Sequence, residues 1–413
     1  MKIMENLKEQ IHNDFKPITF EDWKLAAQKT LKNERIDEVI NKNIIPNINI
    51  SSIYDRKQVN KYFDLNFPSK VDSNQILSLS TITELPCESD LEVSVLLNLI
   101  KNTDENAAIE LIIDPNFFLS VSKFRAVRYI LTEMGREDIT IIAKSSTQNK
   151  TFSDIENNII RLTTEAMSAI IGGADKVDLV PYNSMRQNDA FGKRITDNII
   201  ILLNEESYLS KVKDPLSGSY LVENLTAKFI ESVNLILFKL SEFETESEKI
   251  DYIVTSCSAF QNQQRELLDS QKKKIIGLNI YQNKKDNLGE TNIKVTNNVL
   301  EFEALKSKID KLNPKIYIVN FEEKNELQPS IVLALNTYNI TFQVSGIFEL
   351  VEDAFNAIKL YDPDLVIVNG NNHIERILRN MLDEYNVINI DKFYNSSILK
   401  NIDKLVSSIR TSG

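Results

Sequence analysis

Between about residue 70 and residue 283, short apolar runs alternate with longer segments of helical period. This alternation restricts the fold more than any other feature. "NQILSLSTI" is followed by "ESDLEVSVLLNLIKN", "AIELIIDP" by "VSKFRAVRYILTEM", and "DITIIAKSS" by "IENNIIRLTTEAMSAII". "DKVDLVPY" precedes "DAFGKRITDNIIILLNEES", and a helical stretch from Val222 to about Lys274 leads into "KKIIGLNIY". Strands that each return through a helix lie parallel, because a parallel neighbour can only be reached by a crossover. The pattern predicts about five strands, too few for a complete eight-stranded barrel. A shortened or partial (β/α) TIM-type barrel leaves open edges, to be covered by an N-terminal arm or by a partner.

The flanks divide the rest. Residues 1–50 read as a helical N-terminal arm, in which Phe20, Trp23, Ala27 and Leu31 recur at helical spacing. Phe20 and Trp23 are its apolar anchors, on their own domain or on a partner chain. "IDEVINKNIIPNINISSIYDRKQVN" reads as irregular, lying across a surface. Residues 51–283 form the barrel-like domain. Residues 284–313 are polar and charged, a linker ending in a helix. In 314–413 the strands "KIYIVNF", "ITFQVSGIF", "DLVIVNG" and "NVINI" alternate with helices, the pattern of a small flavodoxin-like doubly wound domain.

Composition excludes several chemistries. Lys plus Arg is 48 against 59 for Asp plus Glu, a net charge of −11. That argues against nucleic acid, whose phosphates need a basic surface, but leaves room for a small anion in a local positive pocket. Cys87 and Cys257 lie far apart and form no CxxC, so neither a disulfide framework nor a cysteine zinc site is predicted, and a reducing compartment fits. A polar N-terminus and the lack of any apolar run of about 18 residues predict a cytoplasmic chain with no membrane span. His12 and His373 are the only histidines, which leaves no His pair or His metal cluster. Ten glycines, about 2%, are few for a phosphate-cradling chain, and neither GxGxxG nor GxxxxGK with Ser or Thr occurs.

Against that scarcity, "DPLSGSYLVENLT" places Gly218 between two serines, after Asp214-Pro215 and before Glu223. Proline disfavours a helical residue before it, glycine permits a sharp turn, and a carboxylate suits a helix entrance. The segment closely resembles the DPxGGSYxxExLT segment of the methylmalonyl-CoA mutase family. "FFLSVSKFRAVRYILTEMG", "IIRLTTEAMSAIIGGADKVDLVPYN" and "NDAFGKRITDNIIILLNEESYL" precede it in that family's order, "KKIIGLNIY" follows it, and "FEDWKLAAQKTL" resembles the family's N-terminal signature. The specific match covers about residues 115–283 and the arm.

The resemblance implies an acyl-CoA barrel followed by a flavodoxin-like domain that binds adenosylcobalamin through the histidine of a DxHxxG motif. Radical rearrangement then interconverts methylmalonyl-CoA and succinyl-CoA, the cofactor carrying the hard chemistry. This sequence departs from the pattern. After "KIYIVNF" it reads "EEKNELQPS", with Lys324 about where the cobalt ligand would lie. The substrate histidine of the barrel is missing too, and the segment before "FFLSV" is much shorter than in active members. The resemblance therefore points to the small, non-catalytic subunit of a heterodimer. Such a chain binds no cofactor tightly itself, adenosylcobalamin sitting in the large catalytic partner subunit. The alternatives are a stand-alone acyl-CoA mutase binding cobalamin without a histidine, and a free-standing degenerate homologue with a binding role.

No catalytic residue and no metal ligand is predicted. Lys144, Ser145 and Ser146 end a strand at the face where barrel ligands bind, and are the candidates for a ligand pocket. Asp214, Gly218, Ser219, Tyr220 and Glu223 are expected to hold a strand-to-helix turn. Arg161, Glu165, Gly172 and Gly173 read as a packed helix with a left-handed cap, Lys272–Lys274 as a solvated face, and His373 as an exposed helix-start residue.

Overall fold

The computed structural model describes residues 19–31, 41–45, 48–51, 54, 59, 62–63, 65, 75–101, 103, 107–186, 189–283, 293, 297–323, 328–393 and 398–409. Helix α1 (Phe20–Leu31) is capped by Thr19. The Thr19 hydroxyl accepts from the Asp22 N–H at 3.2 Å, and the Asp22 carboxylate accepts from the Thr19 N–H at 3.0 Å, a reciprocal cap. Part of the stretch that reads as irregular is a hairpin: β1 (Asn41–Ile45) pairs antiparallel with β2 (Ile48–Ser51). Isoleucine alternates with polar residues through Ile48–Ser51, which is strand period.

Four parallel strands follow as one sheet in chain order: β3 (Gln75–Ser78), β4 (Ala107–Ile112), β5 (Thr140–Lys144) and β6 (Lys176–Asp178). Helices α2 (Ser89–Ile100), α3 (Phe117–Glu133) and α4 (Asn157–Gly172) make the crossovers, and α5 (Ala190–Glu205) follows β6. Leu96, Phe124, Val127, Leu162 and Ala166 from these helices share a core with Ile109, Leu111, Ile141 and Ala143 of the strands. Those strand residues alternate with Glu110, Ile112, Ile142 and Lys144, so the helices cover one face and Glu110 and Lys144 stand on the other. Gly172 permits the α3–α4 contact, since a Cβ there would lie 2.9 Å from Phe124 Cβ. Gly173, at φ 91°, ends α4 in the left-handed conformation.

The helical stretch that reads as continuous to Lys274 is two helices, α6 (Tyr220–Glu242) and α7 (Glu246–Asp269). Phe243 is extended and Thr245 starts a new helix, its hydroxyl accepting from the Glu248 N–H while Glu248 accepts from the Thr245 N–H. Helix α6 packs on α2 and α3 through Leu225, Phe229 and Val233.

"KKIIGLNIY" is not the fifth strand. Gly277 has φ +82°, the Asn279 side chain accepts from the Ile275 N–H and donates to the Lys273 carbonyl (both 2.8 Å), and only Ile276 and Ile280 bridge. The segment curls on itself, so among the described residues the first sheet has four strands and open edges. Lys272 and Lys274 are exposed, but Lys273 is half-buried and donates to Gln264 Oε1 at 2.7 Å.

The helix expected at the end of the linker is α8 (Asn298–Leu312), and it belongs to the core of the second unit. It buries Val299, Phe302, Leu305 and Ile309, and the Phe302 ring stacks on Tyr338 at 4.5 Å. Then come β7 (Lys315–Asn320), α9 (Gln328–Thr337), β8 (Thr341–Ile347), α10 (Val351–Tyr361), β9 (Leu365–Asn369), α11 (Asn372–Met381), β10 (Asn386–Asn389) and α12 (Ile398–Ser408). The sheet is parallel throughout in the order β10-β9-β7-β8. The inner strands read as continuous apolar runs because both faces are covered. Ile316, Ile318, Leu365 and Ile367 pack with α8, α9 and α12, while Tyr317, Val319, Val366 and Val368 pack with α10 and α11. Leu268 of α7, with Ile275 and Leu278, completes the first of these clusters, so the two units share packed apolar surface.

Candidate functional site: strand-end loops and the Arg125 clamp

The three pocket candidates follow one another at the carboxyl end of β5. Lys144 Nζ donates to Glu110 Oε1 at 3.0 Å, and Ser78 Oγ donates to the same oxygen at 3.0 Å. The Lys144 side chain is 39% exposed. Ser145 and Ser146 are buried. Ser145 Oγ accepts from the Val180 N–H at 2.9 Å, and Ser146 Oγ accepts from the Gln148 N–H at 3.1 Å. Of the three, only Lys144 offers a charged group to solvent; the serine oxygens brace the loops after β5 and β6.

Behind this edge lies a buried polar cluster. Lys150 Nζ donates to Glu165 Oε1 and to Asn149 Oδ1, both at 2.7 Å, and Asn149 Nδ2 donates to Glu165 Oε1 at 2.8 Å. Burial pushes the Lys150 ammonium down, opposed by Glu165. Arg161 donates to Thr151 Oγ1 (3.0 Å), Asn158 Oδ1 (2.8 Å) and the Ile276 carbonyl (2.6 Å). Glu303 of α8 accepts from the backbone N–H groups of Phe152 and Ser153, each at 2.7 Å, and from Ser153 Oγ at 2.6 Å. Burial pushes its carboxyl up. Arg161 and Glu165 thus have fixed partners on a packed helix. Glu303 and Lys150 carry no signal in the sequence, Glu303 sitting in what reads as a linker.

At the end of β4, Lys123 of α3 pairs with Glu92 of α2 and donates to the Ile112 carbonyl at 2.8 Å, while Glu92 accepts from the Ile112 N–H at 2.9 Å. Burial raises the nearby Asp114 carboxyl.

The turn that begins at Asp214 closes on α3. Arg125 Nε and Nη2 donate to Asp214 Oδ1 and Oδ2 at 2.8 and 2.9 Å, Nη2 donates to Glu223 Oε1 at 3.0 Å, and Nη1 donates to Thr226 Oγ1 at 3.0 Å. The Arg125 and Glu223 side chains are fully buried. Glu223 also accepts from the N–H groups of Gly218 (2.8 Å) and Phe63 (3.3 Å). Gly218 has φ +81° and Asp214 has φ 42°, so the chain reverses tightly here. Ser219 takes the cap position of α6 without a side-chain bond, and Tyr220 is 37% exposed. The turn follows α5 and a short 3-10 turn at Leu209–Lys211, so it joins helix to helix; the expected strand does not precede it, because β6 ends at Asp178.

Trp23 is half-buried on α1. The side chain of Phe20 lies outside the described residues, as do His12 and Lys324. His373 is exposed on the first turn of α11, its backbone N–H donating to Asn371 Oδ1 at 3.0 Å. Among the described residues no group of three or more His, Cys, Asp or Glu could hold a metal ion, and no helix is long and apolar enough to cross a membrane.

Two parallel-sheet units that share apolar packing, each with a polar network at its strand ends, define an α/β protein whose candidate sites gather where loops meet the helices. Residues 108–352 match the family model described as methylmalonyl-CoA mutase. The chain belongs to the methylmalonyl-CoA mutase family. It is 38% identical over 125 residues to the methylmalonyl-CoA mutase small subunit of Porphyromonas gingivalis, covering 28% of this chain and 20% of that protein. It is 30% identical over 200 residues to the Escherichia coli methylmalonyl-CoA mutase, covering 45% and 27%. It is 28% identical over 184 residues to a probable mitochondrial methylmalonyl-CoA mutase of Caenorhabditis elegans, covering 41% and 24%. The matched segments thus span between 20% and 27% of these relatives' lengths.

In the second unit, side chains join the carboxyl ends of β7 and β9. In its strand order the connections from β7 and β9 depart to opposite sides, and that crevice at the carboxyl ends is where such sheets bind ligands. Here Asn369 Nδ2 donates across it to Asn320 Oδ1 at 3.0 Å, and Asn320 Nδ2 donates to the Ser345 carbonyl at 2.8 Å. The strand-end side chains satisfy one another, and His373 stands exposed at the start of α11.

Proposed function

We propose that the chain is a non-catalytic small subunit that pairs with the large catalytic subunit of a methylmalonyl-CoA mutase. The complex interconverts methylmalonyl-CoA and succinyl-CoA, with adenosylcobalamin held by the partner. The observation that carries this reading is the Arg125 clamp. The family segment at 214–226 is retained as an internal brace, Asp214 and Glu223 both engaged by Arg125, in a chain whose only histidines are His12 and His373. Similarity to a relative named as a small subunit supports it.

On this reading the four strands in chain order are the remnant of a (β/α) barrel, and the order β8-β7-β9-β10 is a shortened flavodoxin-like domain. The chain acts in the cytoplasm by stabilising its partner. Helix α1, with Phe20 and Trp23, is the segment that docks, and Lys144 with Ser145 and Ser146 is the place for any retained small anion.

Tagged purification from the native host tests the proposal. Co-elution of a larger mutase chain carrying DxHxxG, at one-to-one stoichiometry, supports it; elution alone overturns it. A stoichiometric cobalamin spectrum on the isolated chain overturns the non-catalytic role and favours a stand-alone mutase.

A further inference from the structure

Cys87 and Cys257 are the only cysteines in the chain, and the sequence places them far apart. The fold brings them together. Cys87 lies in the loop that leads into α2, and Cys257 lies in the middle of α7. Both belong to one small apolar cluster with Leu91, Val95, Leu240 and Ile253. Cys257 is fully buried and Cys87 is half-buried. Cys87 Sγ also donates to the Glu88 carbonyl at 3.3 Å. Two thiols packed in one cluster differ chemically from two separate ones, because oxidation of the first can be resolved by the second.

We infer that Cys87 and Cys257 form a reversible intramolecular disulfide in the folded chain, with a hydroperoxide as oxidant. Cys87 is the sulfur that oxidant reaches, and Cys257 is the resolving thiol. In the first step the Cys87 sulfur, after losing its proton, attacks one peroxide oxygen. The O–O bond breaks, the leaving oxygen takes a proton, and Cys87 becomes a sulfenic acid. In the second step the Cys257 sulfur gives up its proton and attacks the Cys87 sulfur. The S–O bond breaks and hydroxide leaves with that proton as water. Two electrons pass from the two sulfurs to the peroxide, and a thiol reductant reverses the change. A disulfide brings the two sulfurs to about 2.05 Å, a shift that falls on the loop carrying Cys87.

The bond would tie two parts of the molecule. Cys87 sits at the first crossover of the first sheet, while α7 carries Leu268 into the core of the second unit. Oxidation would therefore fix the first sheet to the helix that leads to the second unit. This thiol chemistry is independent of the proposed pairing with a mutase subunit.

The full-length chain is treated under native conditions with a small excess of hydroperoxide, then denatured with alkylation and mapped without reductant. The expected result is loss of both titratable thiols, a mass lower by two hydrogens, and one cross-linked peptide pair joining Cys87 to Cys257, reversed by dithiothreitol. C257S should stop at a Cys87 sulfenic acid that dimedone traps, and C87S should leave Cys257 unmodified. Retention of both thiols overturns the inference, as does Cys87 over-oxidised beside an intact Cys257, or cross-links only between chains. Mapping of the unmutated chain decides the matter even where a serine variant folds poorly.

Discussion

Arg125 binds both oxygens of Asp214, at 2.8 and 2.9 Å, with a guanidinium that is wholly inside the protein. The same group bonds Glu223 at 3.0 Å. One buried cation thus neutralises parts of two carboxylates and joins α3 to the turn before α6. Arg125→Met removes the cation and leaves Glu223 buried without its counter-charge, which should cost about 3–5 kcal/mol in urea unfolding. Arg125→Lys keeps the charge but not the planar fork, and should recover only part of that loss. A neutral Arg125→Met would refute the role of the clamp.

Two glycines separate backbone strain from packing. Gly218 has φ +81°, and a Cβ there would have nothing within 4 Å, so Gly218→Ala should cost about 1 kcal/mol through strain alone. Gly172 is helical, but its Cβ would meet Phe124 Cβ at 2.9 Å and the Val121 carbonyl oxygen at 3.0 Å. Gly172→Ala should cost about 1–3 kcal/mol by forcing α3 and α4 apart. Phe124→Leu keeps its Cβ and should relieve neither effect, as a double-mutant cycle would read.

Glu303 connects the units by accepting three hydrogen bonds from Phe152 and Ser153. Glu303→Ala leaves two backbone N–H groups, one buried and one part-buried, without their acceptor and should destabilise by about 2–4 kcal/mol. Glu303→Gln keeps one acceptor oxygen and should lie between it and the parent. Thermal unfolding followed by calorimetry would show the order.

Glu88, at the start of α2, has its carboxyl raised from the usual 4.5 to about 7, first by burial and then by Asp90. The folded state therefore holds this proton more tightly than the unfolded state does. Its contribution to stability is full below pH 4.5 and is lost as pH rises through about 7. Glu88→Gln should leave stability unchanged at about pH 4 and raise it by about 1–2 kcal/mol at about pH 8, allowing for solvent screening of a half-buried group. Equal effects at the two pH values would contradict the assignment.

The crossovers of both sheets are legible in the sequence because each depends on a local period. "AIELIIDP" and "DITIIAKSS" read as strands and are strands, β4 and β5. "KKIIGLNIY" has the same apolar content but curls, because Gly277 takes a left-handed conformation and Asn279 bonds its own backbone neighbours. A helix at the end of the linker was legible, but its burial was not. The apolar residues of α8 are spread thinly among charges, and only the second sheet supplies the surface that buries Phe302. At the candidate site, the residues of the turn at 214–223 are visible in the sequence, but their partner Arg125 is one arginine among others on a helix until the fold sets it against Asp214.

What the sequence determined by itself is the α/β class, the succession of crossovers, the family segments, and the near absence of histidine. These follow from short-range periodicity and residue identity. The tertiary structure alone decided that Asp214 and Glu223 meet Arg125, that Glu303 caps the loop at Phe152, and that Cys87 and Cys257 share one apolar cluster. Such pairs form between segments distant along the chain, where packing of the apolar faces, not any local preference, brings polar groups out of water and makes each the other's available partner.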